Sequence, residues 1–407
     1  MRGNVATAEG ASRPRGLRGI AIVALLPLCA SCSLQSAYVH PDLNARRAPA
    51  DLEDGIETTL LLVGDAGLAT SSCDPILAQL RDAAAVAPGR TVIVFLGDNV
   101  YPSGLPPVGH EQRPAAERTL RAQASVAASG AQVIFLSGNH DYGYGLDGLR
   151  EQQAFIESLP GQVRFAPNAG TTGPTVIDFG RCLRLALLDS EWMIDHPGDP
   201  LLPLDDTGPG ERPHLVVAAH HPLASHGTHG GFFTWRDHLF PLVAEWDWAW
   251  LPLPVLGSAY PLSRLSGISK QDLSNARNQR YQQRLEKWFD RAAPLVFAAG
   301  HEHALQLLRG KGAGFLVVSG AGTVDRHESV SQGRDTLFAS PASGFFRLDF
   351  FHDHRVRLTV IEVDRRSVCS PLSIWLARLY FSYPAGPPAG ANALASLLVK
   401  QTKAALT

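Results

Sequence analysis

Apolar residues along this chain follow two rhythms. Short continuous runs rich in Val, Ile, Leu and Phe occur at 58–63, 91–96, 132–136, 214–219 and 294–299. Short, uniformly apolar and often β-branched, each reads as a strand buried on both faces. Between the first three runs the spacing changes to three and four. Ile76, Leu77 and Leu80 follow Asp74-Pro75, a helix cap with proline in the first turn. Residues 115–128 and 146–159 read as further helices, and at 275–292 Tyr281, Leu285 and Phe289 share one helical face. The β-α-β-α-β-α order of the first half predicts a mostly parallel sheet covered by helices. The second half is richer in strands. Residues 175–179 and 182–188 pair as a hairpin across Gly180-Arg181, and 315–319, 345–350 and 356–363 complete a β-rich end.

Each of the five runs ends in a polar cluster. These are Gly64-Asp65-Ala66-Gly67, Gly97-Asp98-Asn99-Val100-Tyr101, Gly138-Asn139-His140-Asp141, His220-His221 after Val217-Ala218-Ala219, and Gly300-His301-Glu302-His303. Ligands of open α/β sheets bind at the carboxyl ends of strands, where these clusters would stand. Taken singly, each cluster is also ordinary turn or strand-end chemistry. That plainer explanation does not account for five such units in one chain. Together they supply carboxylates, a carboxamide, imidazoles and a phenol without a thiolate, a hard-to-borderline metal-ligand set. Asp98 is placed to bridge two ions, as carboxylates do where metals stand about 3.5–4 Å apart.

In order and spacing the five blocks resemble the calcineurin-like metallophosphoesterases and, within them, the purple acid phosphatases. That subgroup's pattern is GDxG, GDxxY, GNH(D/E), VxxH and GHxH. The wider superfamily usually carries Asp-x-His in the first block; here Gly67 stands in the place of that His, and Tyr101 is the phenolate characteristic of the purple group. The resemblance runs over residues 58–364 and implies an α/β fold, a four-layer α/β/β/α sandwich of two mixed sheets. By the same resemblance Asp65, Asp98, Tyr101 and His303 would hold a first metal, and Asp98, Asn139, His220 and His301 a second. The cofactors implied are a ferric ion with Fe²⁺, Zn²⁺ or Mn²⁺. His140 would contact a phosphoryl oxygen or protonate the leaving group, with Asp141 orienting its ring. Apart from the resemblance, His221 reads either as a residue behind the ligands or as one that faces substrate, and His229, close after His220 in the chain, either as part of a polar loop or as a contact for substrate phosphate. The activity implied is hydrolysis of phosphomonoesters by a hydroxide that forms because the metals lower the pKa of bound water from about 15.7 toward 7. Two alternatives stand beside it: a phosphodiesterase with the same site, acting on a nucleotide or lipid-like substrate, and a non-catalytic surface-binding lipoprotein.

Composition narrows the partners. Charged residues make up 18% of the 407 and the net charge is −2, so there is no basic excess to hold a nucleic-acid backbone. Arg2, Arg13, Arg15 and Arg18 precede a short apolar core at 19–30, too short to span a bilayer and typical of an export signal. Cys29-Ala-Ser-Cys32 resembles a bacterial lipobox with Cys32 as the lipidated residue. The expected location is therefore outside the cytoplasm, in the periplasm, at the outer membrane or secreted. Cys73, Cys182 and Cys369 would remain, and none of them forms a Cys-x-x-Cys pair. Residues 33–57 read as a tether. The stretch 222–272 departs from the family pattern and holds Trp235, Trp246, Trp248 and Trp250, four of the seven tryptophans. It reads either as a hydrophobic cluster packed on the domain or as a wall that meets an apolar leaving group or a membrane. In the extension at 365–407, residues 372–381 read as a buried helix followed by a loose tail.

Overall fold

The computed structural model describes residues 33–44, 55–69, 74–204, 213–244, 248–324, 328–363, 374–381 and 398–404. The proposed export segment and Cys32 lie outside them, as do Cys73 and Cys369. In chain order the strands are β1 (Tyr38–Val39), β2 (Ile56–Val63), β3 (Thr91–Phe95), β4 (Gln132–Phe135), β5 (Val163–Phe165), β6 (Thr175–Phe179), β7 (Leu183–Leu187) and β8 (His214–Ala218). They continue with β9 (Val296–Ala299), β10 (Leu305–Arg309), β11 (Phe315–Ser319), β12 (Thr336–Ser340), β13 (Gly344–Phe351), β14 (Val356–Glu362), β15 (Ile374–Phe381) and β16 (Leu398–Ala404). Four longer helices cover the sheets: α1 (Pro75–Ala85), α2 (Arg113–Ala124), α3 (Gly145–Glu157) and α4 (Ala276–Ala292).

The strands form two eight-stranded sheets, ordered β16-β15-β14-β13-β2-β3-β4-β5 and β1-β12-β10-β11-β9-β8-β7-β6. Both are mixed. β2 to β5 run parallel in the first and β7, β8, β9 and β11 in the second, with antiparallel strands outside them.

Side-chain alternation along the strands accounts for the layering. In β2, Leu60 and Leu62 join the core between the sheets with Leu185, Leu187, Val216 and Phe338. Their neighbours Leu61 and Val63 face the other way, onto Ile76, Leu77 and Leu80 of α1 and Leu120 of α2. On the far side Val217 and Phe297 meet Tyr281, Leu285 and Phe289, the face of α4 expected from its spacing. The result is the four-layer α/β/β/α sandwich. Asp74 accepts hydrogen bonds from the amides of Ile76 and Leu77 and so caps α1.

Three expectations are corrected. Residues 374–381 form a strand on the open edge of β14 rather than a helix. That run is apolar nearly all round, and such runs do not distinguish helix from strand by periodicity. The expected loose tail contains β16, which pairs with β15. Within the stretch read as a tether, Tyr38–Val39 pairs with β12 and Leu43 is buried.

Candidate metal centre

The parallel strands β2, β3, β4, β8 and β9 deliver their polar clusters to a common edge. Backbone hydrogen bonds continue past the strand ends and lock the clusters together. Asp65 N donates to Gly97 O at 3.0 Å, Gly64 N to Ser319 O at 2.7 Å, and Gly300 N to His220 O at 3.0 Å. The close approach needs glycine at Gly97, whose φ is +93° and where a Cβ would stand 2.7 Å from His220 Nδ1. Asp65, Asp98 and His301 have φ of 59°, 54° and 69°, a left-handed backbone that non-glycine residues adopt at some cost. Such strain gathers where surrounding structure over-determines a functional site.

The side chains converge in two groups that share Asp98. In the first, Tyr101 Oη lies 3.0 Å from Asp65 Oδ1, 3.2 Å from Asp98 Oδ2 and 3.2 Å from His303 Nε2. In the second, Asn139 Oδ1 lies 3.0 Å from both His220 Nε2 and His301 Nδ1, and His220 Nε2 is 3.4 Å from Asp98 Oδ1. Each imidazole turns one nitrogen into the site and has the other held from outside. His220 Nδ1 donates to Leu96 O at 2.8 Å, His301 Nε2 donates to Gln271 O at 2.8 Å, and His303 Nδ1 lies 3.1 Å from Glu328 Oε1. Outer partners of this kind fix the tautomer and orientation of metal-binding histidines.

Gly67 is crowded from three directions. A Cβ there would stand 2.7 Å from Asp98 O, 2.8 Å from Tyr101 Cδ2 and 2.9 Å from Val100 N, so the backbone of the second cluster and the phenol ring together leave no room for a side chain.

The electrostatics call for positive charge. Burial penalises the Asp98 carboxylate, yet His220 and His140 hold it well below the usual carboxylate range. Burial likewise opposes charge on His220, but Asp98 outweighs it and raises its pKa to about 9. For His303, Glu328 and Asp65 overcome burial and raise the pKa to about 10. Buried carboxylates draw protons onto these two imidazoles, and cations among the same donors would meet the same demand. Two ligand groupings within reach of one ion are Asp65, Asp98 and His220, and His220, His221 and His301. Oxygen and imidazole donors around a bridging carboxylate fit two borderline metal ions.

The other expected site residues are placed differently. His140 is partly exposed; its Nδ1 donates to Pro102 O at 2.6 Å and its amide donates to Asp98 Oδ1 at 2.9 Å. Asp141 does not orient that ring, contrary to expectation. It is buried and accepts from Asn99 Nδ2 at 2.9 Å, Gly138 N at 2.8 Å and Gln152 Nε2 at 2.8 Å. Since its carboxylate points back into the loops, it clamps the second cluster to the third. His221 and His229 are both buried beside the centre. His221 Nδ1 meets Ser190 Oγ at 2.9 Å, and His229 Nδ1 lies 3.3 Å from Asp272 Oδ1 while its ring packs on His301.

Sequence reasoning missed Glu328 and the carbonyls of Leu96, Gln271 and Pro102. A backbone carbonyl carries no residue-type signal, and Glu328 stands alone in a loop without a motif.

Residues 58–305 match the family described as calcineurin-like phosphoesterase. No curated protein matches the chain. Among solved structures, one similar chain is GAP50, the anchor in the inner membrane complex of Plasmodium, with 12% identity and a TM-score of 0.44 over 77% of this chain and 87% of that one. The purple acid phosphatase PPD1 from yellow lupin (Lupinus luteus) seeds gives 13% identity and a TM-score of 0.41, over 77% of this chain and 55% of the lupin chain. A dimetal phosphatase from Danio rerio gives 15% identity and a TM-score of 0.34, over 79% of this chain and 98% of that one.

Proposed function

The chain belongs to the calcineurin-like phosphoesterase family, and on that footing we propose that it is an exported phosphomonoesterase with a dinuclear centre of the purple acid phosphatase type. Asp65, Asp98, Tyr101 and His303 would hold one ion, a ferric one, and Asp98, Asn139, His220 and His301 an Fe²⁺, Zn²⁺ or Mn²⁺ ion. The observation that carries this reading is the pair of donor groups joined by Asp98, with every inward imidazole nitrogen matched by an outward one already held. The placement of Tyr101 Oη among the donors, 3.0 Å from Asp65 Oδ1 and 3.2 Å from His303 Nε2, supports the purple assignment in particular.

Two cations held by these residues would supply positive charge for the phosphoryl oxygens and would lower the pKa of bound water. The chain's own residues do the rest. His140 donates through Nδ1 to Pro102 O, which leaves Nε2 as the atom that can meet a phosphoryl oxygen or pass a proton to the departing alcohol. Asp141 holds the amides of Asn99 and Gly138, and so sets the distance between Asp98 and Asn139. Burial of Asp65, Asp98 and the three histidines keeps bulk water from competing for the donors.

The test is a visible absorption spectrum with metal analysis, beside the Tyr101→Phe variant and a comparison of aryl phosphate mono- and diesters. A visible charge-transfer band that Tyr101→Phe abolishes, with two metals per chain and faster monoester turnover, is the expected result. Two metals without a band would retain the hydrolase and remove the purple assignment. Faster diester turnover would replace the monoesterase with a diesterase. A chain that binds no metal and turns over neither ester would leave a non-catalytic binding protein.

A further inference from the structure

The excursion at 222–272 has two unlike sides. Its inner side is polar and tied to the candidate centre. Gln271 O accepts from His301 Nε2, Leu273 N donates to His229 O, and Asp272 is paired with both Arg264 and His229. Elsewhere its surface carries exposed apolar side chains. Trp248 is 80% exposed, Trp235 62% and Trp250 56%, with Val255 and Leu256 exposed beside them in sequence. Of the fourteen large apolar side chains exposed among the described residues, nine lie between 235 and 268. Scattered apolar residues on a surface need no explanation, whereas a concentration of them marks an interaction surface.

The chemistry of this surface favours one partner. Indole rings combine an apolar body with a polar N–H and settle at the boundary between lipid headgroups and acyl chains. The Arg236 guanidinium lies 5.6 Å from the Trp235 ring centre, a cation able to reach headgroups while its stem stays with the apolar group. The short helix Trp235–Leu239 is closed by a capping box between Thr234 and Asp237. Phe233 is buried against Tyr260 and Trp250 meets Phe240 edge-on, while the Trp235 and Trp248 side chains remain mostly exposed.

The position of the first described residues points the same way. Leu34 N donates to Val330 O at 2.9 Å, and Ser331 N donates to His226 O at 2.9 Å. The first described residues therefore reach the root of the excursion through a single intervening segment. Cys32, the candidate lipid-bearing residue, directly precedes Ser33, so an anchor there would leave the body beside the same root.

We propose that residues 222–272 form a membrane-docking element, whose exposed indole and aliphatic side chains enter the headgroup–acyl boundary of a lipid bilayer while the inner side stays on His301. This does not depend on the chain being a hydrolase, and its test reads no turnover.

The full chain is mixed with phosphatidylcholine vesicles brominated along the acyl chains, and tryptophan emission is followed. Emission is expected to be quenched on binding. A Trp235→Phe, Trp248→Phe, Trp250→Phe variant should still bind but lose most of the quenching. Trp248→Asp with Trp250→Asp should weaken vesicle partitioning by about tenfold or more. The control pair Val108→Asp and Val176→Asp, exposed elsewhere, should leave it unchanged, and equal circular dichroism of all variants shows that each has folded. Bound protein whose emission ignores the bromine would overturn the proposal and leave the N-terminal segment as the sole anchor. Equal partitioning of the two Asp pairs would also overturn it. So would a dimer, without vesicle binding, that the Trp248→Asp, Trp250→Asp pair dissociates; the surface would then belong to a second copy.

Discussion

β2 and the excursion after β8 both end at the candidate centre, and they reach it in opposite ways. In β2, Leu60, Leu61, Leu62 and Val63 are fully buried, alternately against the other sheet and against helices. Close packing on both faces sets the point from which Asp65 leaves the strand. The excursion reaches His301 through a carbonyl and an Arg264–Asp272–His229 network, while Trp235, Trp248 and Trp250 are exposed. One region is positioned by volume and the other by hydrogen bonds. The first tolerates little change in size, and the second leaves its apolar surface free for an outside partner.

The largest effect should come from the residue that joins the two donor groups. Asp98→Asn removes the bridging charge, and we expect turnover of an aryl phosphate to fall about 10³-fold or more, with metal content below two per chain. Near-normal turnover would mean that the sheet edge is not the catalytic centre. Next, Leu62→Ala empties a fully buried site between the sheets and should cost about 2–5 kcal/mol in urea denaturation. A much smaller loss would show that the core can collapse around the gap, and that Asp65 is positioned by its loop.

Glu328→Gln tests the hydrogen-bonded mode of positioning within the sheet-borne site. It should weaken metal binding about 10–100-fold in competition with a chromogenic chelator, since Glu328 is the outer partner of His303. Unchanged affinity would show that His303 is oriented by packing alone.

The packed region also predicts a chemical silence. Burial, with the Glu57 carboxylate nearby, pushes the Cys182 thiol up to about 12. A thiol raised in the folded state stays protonated through neutral pH, and the stability tied to it is lost only as pH climbs from the ordinary thiol range toward that value. Iodoacetamide at neutral pH should therefore leave Cys182 unmodified until urea unfolds the chain, as peptide mass mapping would report. Modification of the folded protein would contradict this. The smallest effect is expected in the excursion, where Trp248→Ser should move stability by less than about 0.5 kcal/mol. A loss comparable to that of Leu62→Ala would place Trp248 in a core and remove the contrast between the regions.

Much of the fold could be read in advance because β2, β3, β4, β8 and β9 each contain a continuous apolar run that leads into a cluster of glycine, histidine and acidic residues. The short strands β5 and β1, and β10 and β12 in the second half, were not legible. Val163–Phe165 and Tyr38–Val39 have too few residues to show a period, and Leu305–Arg309 follows the fifth cluster without a turn signal. Residues 374–381 were misread because a uniformly apolar run takes its form from its neighbour, and here the neighbour is the open edge of β14.

The sequence by itself determined which donors are present and that strands carry them to one edge, because side-chain chemistry and strand length are local properties. It also holds both Gly67 and Tyr101, although the crowding of Gly67 by Asp98 O, the Tyr101 ring and Val100 N is visible only in three dimensions. Tertiary structure alone decided which groups hold the donors from behind. Asp141 looked like the partner of its neighbour His140, but chain direction after Asn139 turns its carboxylate onto Asn99, Gly138 and Gln152. His221 and His229 draw notice because they follow His220 closely in the chain, but that Ser190 and Asp272, distant in sequence, take the Nδ1 of each is decided by the packing. Second partners come from residues far apart in sequence, and often from backbone carbonyls, so only the assembled packing can select them.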